Sequence, residues 1–182
     1  MSRETIESGG SARGWESVIK DGSIDHLGRE GNWEASSYEL TIDTRETDGA
    51  WLSICGDVTD FELRVRMMAQ EGENASIFFR QHAGGQRFYQ FDLSCRWQAV
   101  TVSKCDWNAD PQISTIISAV NHELVRGWDY DVELAMRGES ITTYVNGKLI
   151  NQVRDAGYEK GGICLTAWKS RTRFTQPELR VY

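Results

Sequence analysis

The run Asp60–Met68, DFELRVRMM, puts Phe61, Leu63, Val65 and Met67 on one side of an extended chain. Glu62, Arg64 and Arg66 fall on the other, which is the period of a half-buried β-strand. ASIFFRQ follows after the turn-forming QEGEN, so residues 61–81 are predicted to form a hairpin. RFYQFDL and QAVTVSK make a second pair, with Tyr89, Phe91 and Leu93 on one face and Gln90 and Asp92 on the other. In WDYDVELAM the core face is Trp128, Tyr130, Val132, Leu134 and Met136, opposite Asp129, Asp131 and Glu133. ITTYVNGKLINQV is the most legible stretch, because Asn146-Gly147 suits a two-residue type I′ turn in which both central residues need positive φ. GGICLTAW and FTQPELRVY complete about ten strands at the short spacing of an all-β sandwich. Pro177 interrupts the last of these and implies an edge strand or a bulge there. Residues 104–127 are the least regular; their ISTIISAVNHEL fits a strand or one short helix, and is read as strand and loop. A polar, Gly/Ser-rich tail over 1–14 would then precede a single domain over 15–182.

Composition narrows the function classes. The chain of 182 residues suits one sizeable core, with 40% hydrophobic and 26% charged residues. Its net charge of −7 and its dispersed basic residues argue against nucleic acid or an anionic membrane as partner. The N-terminus does not read as a secretory signal, so the expectation is cytoplasmic if the chain is complete and secreted if a signal has been removed. The four cysteines, Cys55, Cys95, Cys105 and Cys164, lack a CxxC pair and read as buried free thiols, although Cys95 and Cys105 are spaced to staple one hairpin. Oligomeric state is left open.

A family resemblance enters with particular stretches. GREGNWEASSYEL resembles the opening of concanavalin A-like (laminin-G-like) jelly rolls. DFELRVRM, ENASIFFRQ, RFYQFDLS, RGWDYDVELAMRGESITTYVNGKLI and YEKGGICLTAWKSRTRFTQPELRVY follow in that family's order. Within the superfamily the chain is most similar to the 3-keto-disaccharide hydrolase domain group, then to fructan-binding carbohydrate-binding modules. The likeness covers most of residues 31–182. It implies a two-sheet antiparallel jelly-roll sandwich with a concave face that handles sugar.

Candidate site residues follow from the strand pattern and that likeness. Strict alternation puts Arg80 on the face of Phe78, where a guanidinium can grip two sugar hydroxyls or a carboxylate; the alternative is a strand-end charge paired locally. Gln90 and Asp92 would point from the next strand into the same face, and hydroxyls suit such a polar pair because they both donate and accept. Of the seven tryptophans, Trp97, Trp107 and Trp168 sit at strand ends or loops and are candidates to stack on sugar rings. Trp15, Trp33, Trp51 and Trp128 read as core or sheet-edge packing. Asp129, Asp131 and Glu133 resemble the carboxylate ladder of jelly-roll glucanases, but fit a solvated strand face more simply. His26, His82 and His122 show no metal-binding spacing, and no metal site or cofactor is predicted. Asp57 and Asp60 keep calcium as a candidate, as in some relatives.

The leading expectation is recognition of a carbohydrate or glycoside by Arg80, Gln90, Asp92, Trp97, Trp107 and Trp168. The first alternative is an enzyme acting on a modified sugar, a 3-keto-glycoside hydrolase or lyase. There Asp92 or His82 would be acid/base and Arg80 would polarise the keto oxygen. A second alternative is a protein-interaction module without a sugar ligand.

Overall fold

The computed structural model describes residues 14–20, 23–24, 28–47 and 49–182. All but one of the residues in the expected 1–14 tail, and His26, lie outside them. The fold is all-β: a two-sheet antiparallel jelly-roll sandwich, with no helix among the described residues. One sheet runs β15 (Lys148–Arg154), β14 (Ser140–Val145), β13 (Tyr130–Arg137), β8 (Phe61–Gly72), β17 (Ser170–Val181), β6 (Glu39–Asp43) and β5 (Trp33–Ala35). A short β1 (Glu16–Ser17) joins it by pairing with β17. The other runs β12 (Ile113–Asn121), β11 (Ala99–Asp106), β10 (Arg87–Ser94), β9 (Asn74–Gln81), β16 (Gly161–Ala167), β7 (Ala50–Val58) and β4 (Gly28–Glu30). A separate pair, β2 (Ile19–Lys20) and β3 (Ser23–Ile24), completes the strands.

The core lies between the two sheets and is filled by the alternating apolar positions. Phe61, Leu63 and Met67 of β8 and Leu134 and Met136 of β13 meet Ile77 and Phe79 of β9 and Tyr89 and Phe91 of β10, all fully buried. Asn146 and Gly147 have φ of 51° and 73°, the paired positive values of a type I′ turn, and Val145 faces Lys148 across it. ISTIISAVN forms β12, at the edge of its sheet. Trp128 is not core: it precedes β13 and is 63% exposed.

Pro177 sits inside a sheet, since β17 lies between β8 and β6, so the edge-strand alternative does not hold. A register shift between Thr175 and Glu178 accommodates the proline, and its carbonyl accepts from the Val18 N–H. All four cysteines are free thiols, with Cys95, Cys105 and Cys164 buried. The acidic row at and just before β13 is paired with arginines: Asp131 with Arg66 at 2.8 Å, Glu133 with Arg64 at 3.3 Å, and Asp129, which precedes the strand, with Arg173 at 3.0 Å. It forms a solvated ion-pair ladder rather than converging carboxylates.

The main departure from alternation is Arg80. On β9, Gln81 faces Gly162 and Phe79 faces Ile163, so Arg80 has no partner on β16 and forms a bulge with φ of 49°. Gly161 makes this possible, because a Cβ there would stand 2.4 Å from the Arg80 carbonyl carbon. The bulge turns the Arg80 side chain into the end of the sandwich, where the residue is 2% exposed. Its guanidinium donates to the carbonyls of Thr59 (2.8 Å), Gly138 (2.8 Å) and Tyr158 (2.7 Å), with Asp60 at 3.5 Å. Arg80→Met would leave those carbonyls without the donor, and is expected to lower unfolding free energy by about 3 kcal/mol or more. Arg80→Lys should recover little of this, since one ammonium cannot reproduce the planar fork. Urea denaturation of the three proteins decides it; a loss under about 1 kcal/mol would show that the bonds add little.

Candidate functional site

The outer face of the β12–β4 sheet carries a groove of about 1620 Å³. The strands position it by alternation: Leu52, Ile77, Tyr89 and Leu165 point to the core, so Trp51, Ser76, Gln90 and Thr166 point out. Register arranges these side chains in rows. Asp92, Ser76, Thr166 and Trp51 lie side by side across β10, β9, β16 and β7. Gln90, Phe78, Cys164 and Ser53 form the next row. Phe78 stacks on Phe88 at 4.0 Å between ring centroids, and Trp107 meets Phe88 edge-on at 4.7 Å. Trp168 lines the opposite end, with its backbone N–H donating to Asn74 Oδ1 at 3.3 Å.

The lining is rich in amides and poor in charge. Asn74, Gln81, Gln86, Gln90 and Gln112 face the groove, and among the described residues no Lys or Arg lines it. Among the described lining residues the acid is Asp57, paired with Lys160 at 3.0 Å, and the imidazole is His82. Gln81 reaches this face because of the Arg80 bulge, and its Nε2 donates to the Gly85 carbonyl at 3.2 Å. Gln90 Nε2 lies 3.4 Å from Ser76 Oγ, to which it donates.

Asp92 lies beneath this lining and is 8% exposed. Its Oδ1 accepts a short hydrogen bond from Ser76 Oγ, and Ser76 itself lines the groove. Burial pushes the Asp92 carboxyl up to about 7, against the hydrogen bonds from Ser76 and Asn74 that favour its charged form. The two candidate acid/base residues are far apart. His82 pairs with Arg87 through its backbone N–H, five residues along β10 from Asp92, or roughly 17 Å of strand. His82 Nδ1 sits 3.5 Å from Arg87, and its ring packs edge-on against Tyr158.

The groove therefore brings together Gln90, Trp107, Trp168 and His82, with Asp92 behind Ser76. Arg80 and Trp97 stand apart. Arg80 is committed to the carbonyls at the sandwich end, a correction to the expectation that it shares a face with Gln90 and Asp92; the cause is the bulge. Trp97 is 69% exposed in the β10–β11 turn, beside Arg96 and outside the groove lining. Asp57 and Asp60 are held by Lys160 and Arg80, and among the described residues no three His, Cys, Asp or Glu side chains gather as metal ligands. Sequence reasoning missed Trp51, although alternation with Leu52 and Ile54 already placed it on the outer face. Gln81 had no such signal, because its orientation depends on the bulge.

Comparison with solved structures finds the same architecture elsewhere. A carbohydrate-binding module, CBM66 from Bacillus subtilis, superposes with a TM-score of 0.72 at 14% identity, over 92% of this chain and 97% of its own. A putative glycosyl hydrolase from Parabacteroides distasonis gives 0.66 at 15% identity, over 93% and 100%. The β-glucanase of Bacillus licheniformis gives 0.58 at 11% identity, over 92% of both chains. At these identities the likeness is one of fold. No curated protein matches the sequence. The model of the 3-keto-alpha-glucoside-1,2-lyase-like domain matches residues 4–180, nearly the whole chain, and the protein belongs to that family.

Proposed function

We propose that the groove on the β12–β4 sheet binds a carbohydrate or glycoside. The observation that carries this is its lining: flat indoles for the C–H faces of sugar rings, next to amides and hydroxyls that both donate and accept. A protein partner is less well served, because the floor is interrupted by polar groups rather than forming a continuous apolar patch. The family match and the carbohydrate-related proteins that share the fold support this choice.

A second reading, an enzyme acting on a 3-keto-glucoside, is favoured by Asp92. A carboxyl near pH 7 can both release and accept a proton at neutral pH, which is the property a general acid/base needs. Because Ser76 Oγ stands between Asp92 and the groove, the proton would pass through that hydroxyl. Gln90 and Ser76 would then hold the sugar hydroxyls while the acid works from beneath.

Two outcomes test these readings. A ligand held at about 100 times its Kd adds about 2.7 kcal/mol to the native state, a rise of roughly 5–10 °C in melting temperature for a chain of this size. Such a rise is expected with a neutral sugar or a 3-keto-glucoside, and Gln90→Ala and Trp51→Ala should remove it. The screen is run with and without calcium, and product analysis separates a binder from an enzyme. No rise with any sugar would sink the carbohydrate reading.

The second outcome concerns pH. Folding raises the Asp92 pKa, so its contribution is fully present below pH 4 and is lost as pH rises through about 7. Asp92→Asn should therefore match the wild type near pH 4 and exceed it at pH 8, by on the order of 1–3 kcal/mol. Denaturation curves at the two pH values measure the difference. If the enzymatic reading holds, the same substitution abolishes turnover while sugar binding persists; equal turnover in Asp92→Asn removes Asp92 from the chemistry.

A further inference from the structure

The groove is larger than one sugar needs. Its volume of about 1620 Å³ lies above the roughly 300–1,000 Å³ of ordinary small-ligand sites. It also has a direction. Asn74, which Trp168 contacts, faces Ser94 on β10, whereas Trp107 packs on Phe88 of the same strand. Ser94 and Phe88 are six residues apart, or roughly 20 Å of strand. Trp51 shares the row of Ser76 and Asp92 but stands on β7, with β9 and β16 between it and β10, close to the Trp168 end. The three indoles thus run diagonally across the sheet, from Trp168 and Trp51 at one corner to Trp107 at the other, over a distance that no single pyranose or furanose ring can cover.

We propose that this groove takes a linear, neutral oligosaccharide of three or more linked rings, carried in turn by Trp168, Trp51 and Trp107. The inference rests on the carbohydrate reading above and adds the length, direction and charge of the ligand. Length follows from the spacing of the indoles. Neutrality rests on the described lining residues, among which no Lys or Arg is present; the two flanking ammonium groups are engaged, Lys160 with Asp57 at 3.0 Å and Lys169 over the Trp168 ring at 4.6 Å. Rigidity supports it as well. Trp107 is held edge-on against both Phe88 (4.7 Å) and Phe78 (6.0 Å), so its indole is set before a ligand arrives. Each added ring that finds its own indole should strengthen binding in steps, until the groove is filled.

Isothermal titration with ladders of one to four units tests this, using β-1,4-, β-1,3- and α-1,4-linked gluco-oligosaccharides and fructo-oligosaccharides. In the ladder that binds, affinity is expected to rise about tenfold or more from the single sugar to the trimer. Trp168→Ala and Trp107→Ala should each lower trimer affinity about tenfold and flatten the dependence on length. Trp97→Ala, which removes an exposed indole outside the groove, should change nothing. Trp107 packs on other rings, so Trp107→Phe and thermal melts accompany it; should Trp107→Ala fail to fold, Trp107→Phe and Trp168→Ala still decide. Equal affinity for one unit and four overturns this inference and leaves the carbohydrate reading standing. An equally strong hold on uronic-acid oligomers overturns the neutrality. Absence of binding by every ladder overturns the carbohydrate reading itself.

Discussion

The guanidinium of Arg80 holds one end of the sandwich together. Its three carbonyl partners come from different connections: Thr59 between β7 and β8, Gly138 between β13 and β14, and Tyr158 between β15 and β16. Two of these connections pass from one sheet to the other, so one side chain fixes how the sheets close. A buried cation is tolerable only when its donors are met, and here backbone carbonyls meet them with Asp60 nearby. The bulge that turns Arg80 inward also reverses the facing of the next residue. Gln81 consequently lines the groove instead of entering the core, and the structural device and the candidate site share one backbone irregularity.

The two outer faces of the sandwich have been given opposite electrostatics. On β8, β13 and β17, arginines and acids pair across strands, and the pairs stay in water, where each contributes little to stability. Trp15 is held there between Arg64 and Arg180, at 4.2 and 4.4 Å, which ties the N-terminal strand to the ladder. On the other sheet the corresponding positions are amides, hydroxyls and indoles. A ligand with many hydroxyls but no charge gains nothing from the first face, whose charges are already matched. The second face offers partners that need no counter-ion, and on that asymmetry the carbohydrate proposal rests.

Period-two patterning made most of this legible from sequence. It placed Phe61, Leu63, Val65 and Met67 in the core, and Gln90 and Asp92 on the outer face, because long regular strands leave few alternatives. Asn146-Gly147 was equally plain, since few residue pairs accept two consecutive positive φ values. The failures fall where the backbone breaks its own period. Arg80 and Gln81 each point opposite to strict alternation, and nothing in IFFRQ announces an extra residue; the paired glycines Gly161 and Gly162 on the facing strand are the only trace. Trp51 is a different case: size and apolarity argue for core or sheet-edge packing, while Leu52 and Ile54 already claim the core face, and it packs half-buried against the Phe78–Phe88 cluster on the outer face.

Asp92 joins these threads. A carboxyl held this deep disfavours its own ionisation, so at neutral pH it works against the folded state rather than for it. An asparagine would accept the same hydrogen bond from Ser76 without that cost. The acid lies beneath Ser76, in a row that continues through Thr166 to Trp51 on β7. A face selected for packing alone would gain more from a neutral side chain. The ionisation of Asp92 is therefore the property of this face that packing alone does not explain, and its measurement bears on the choice between a binder and an enzyme.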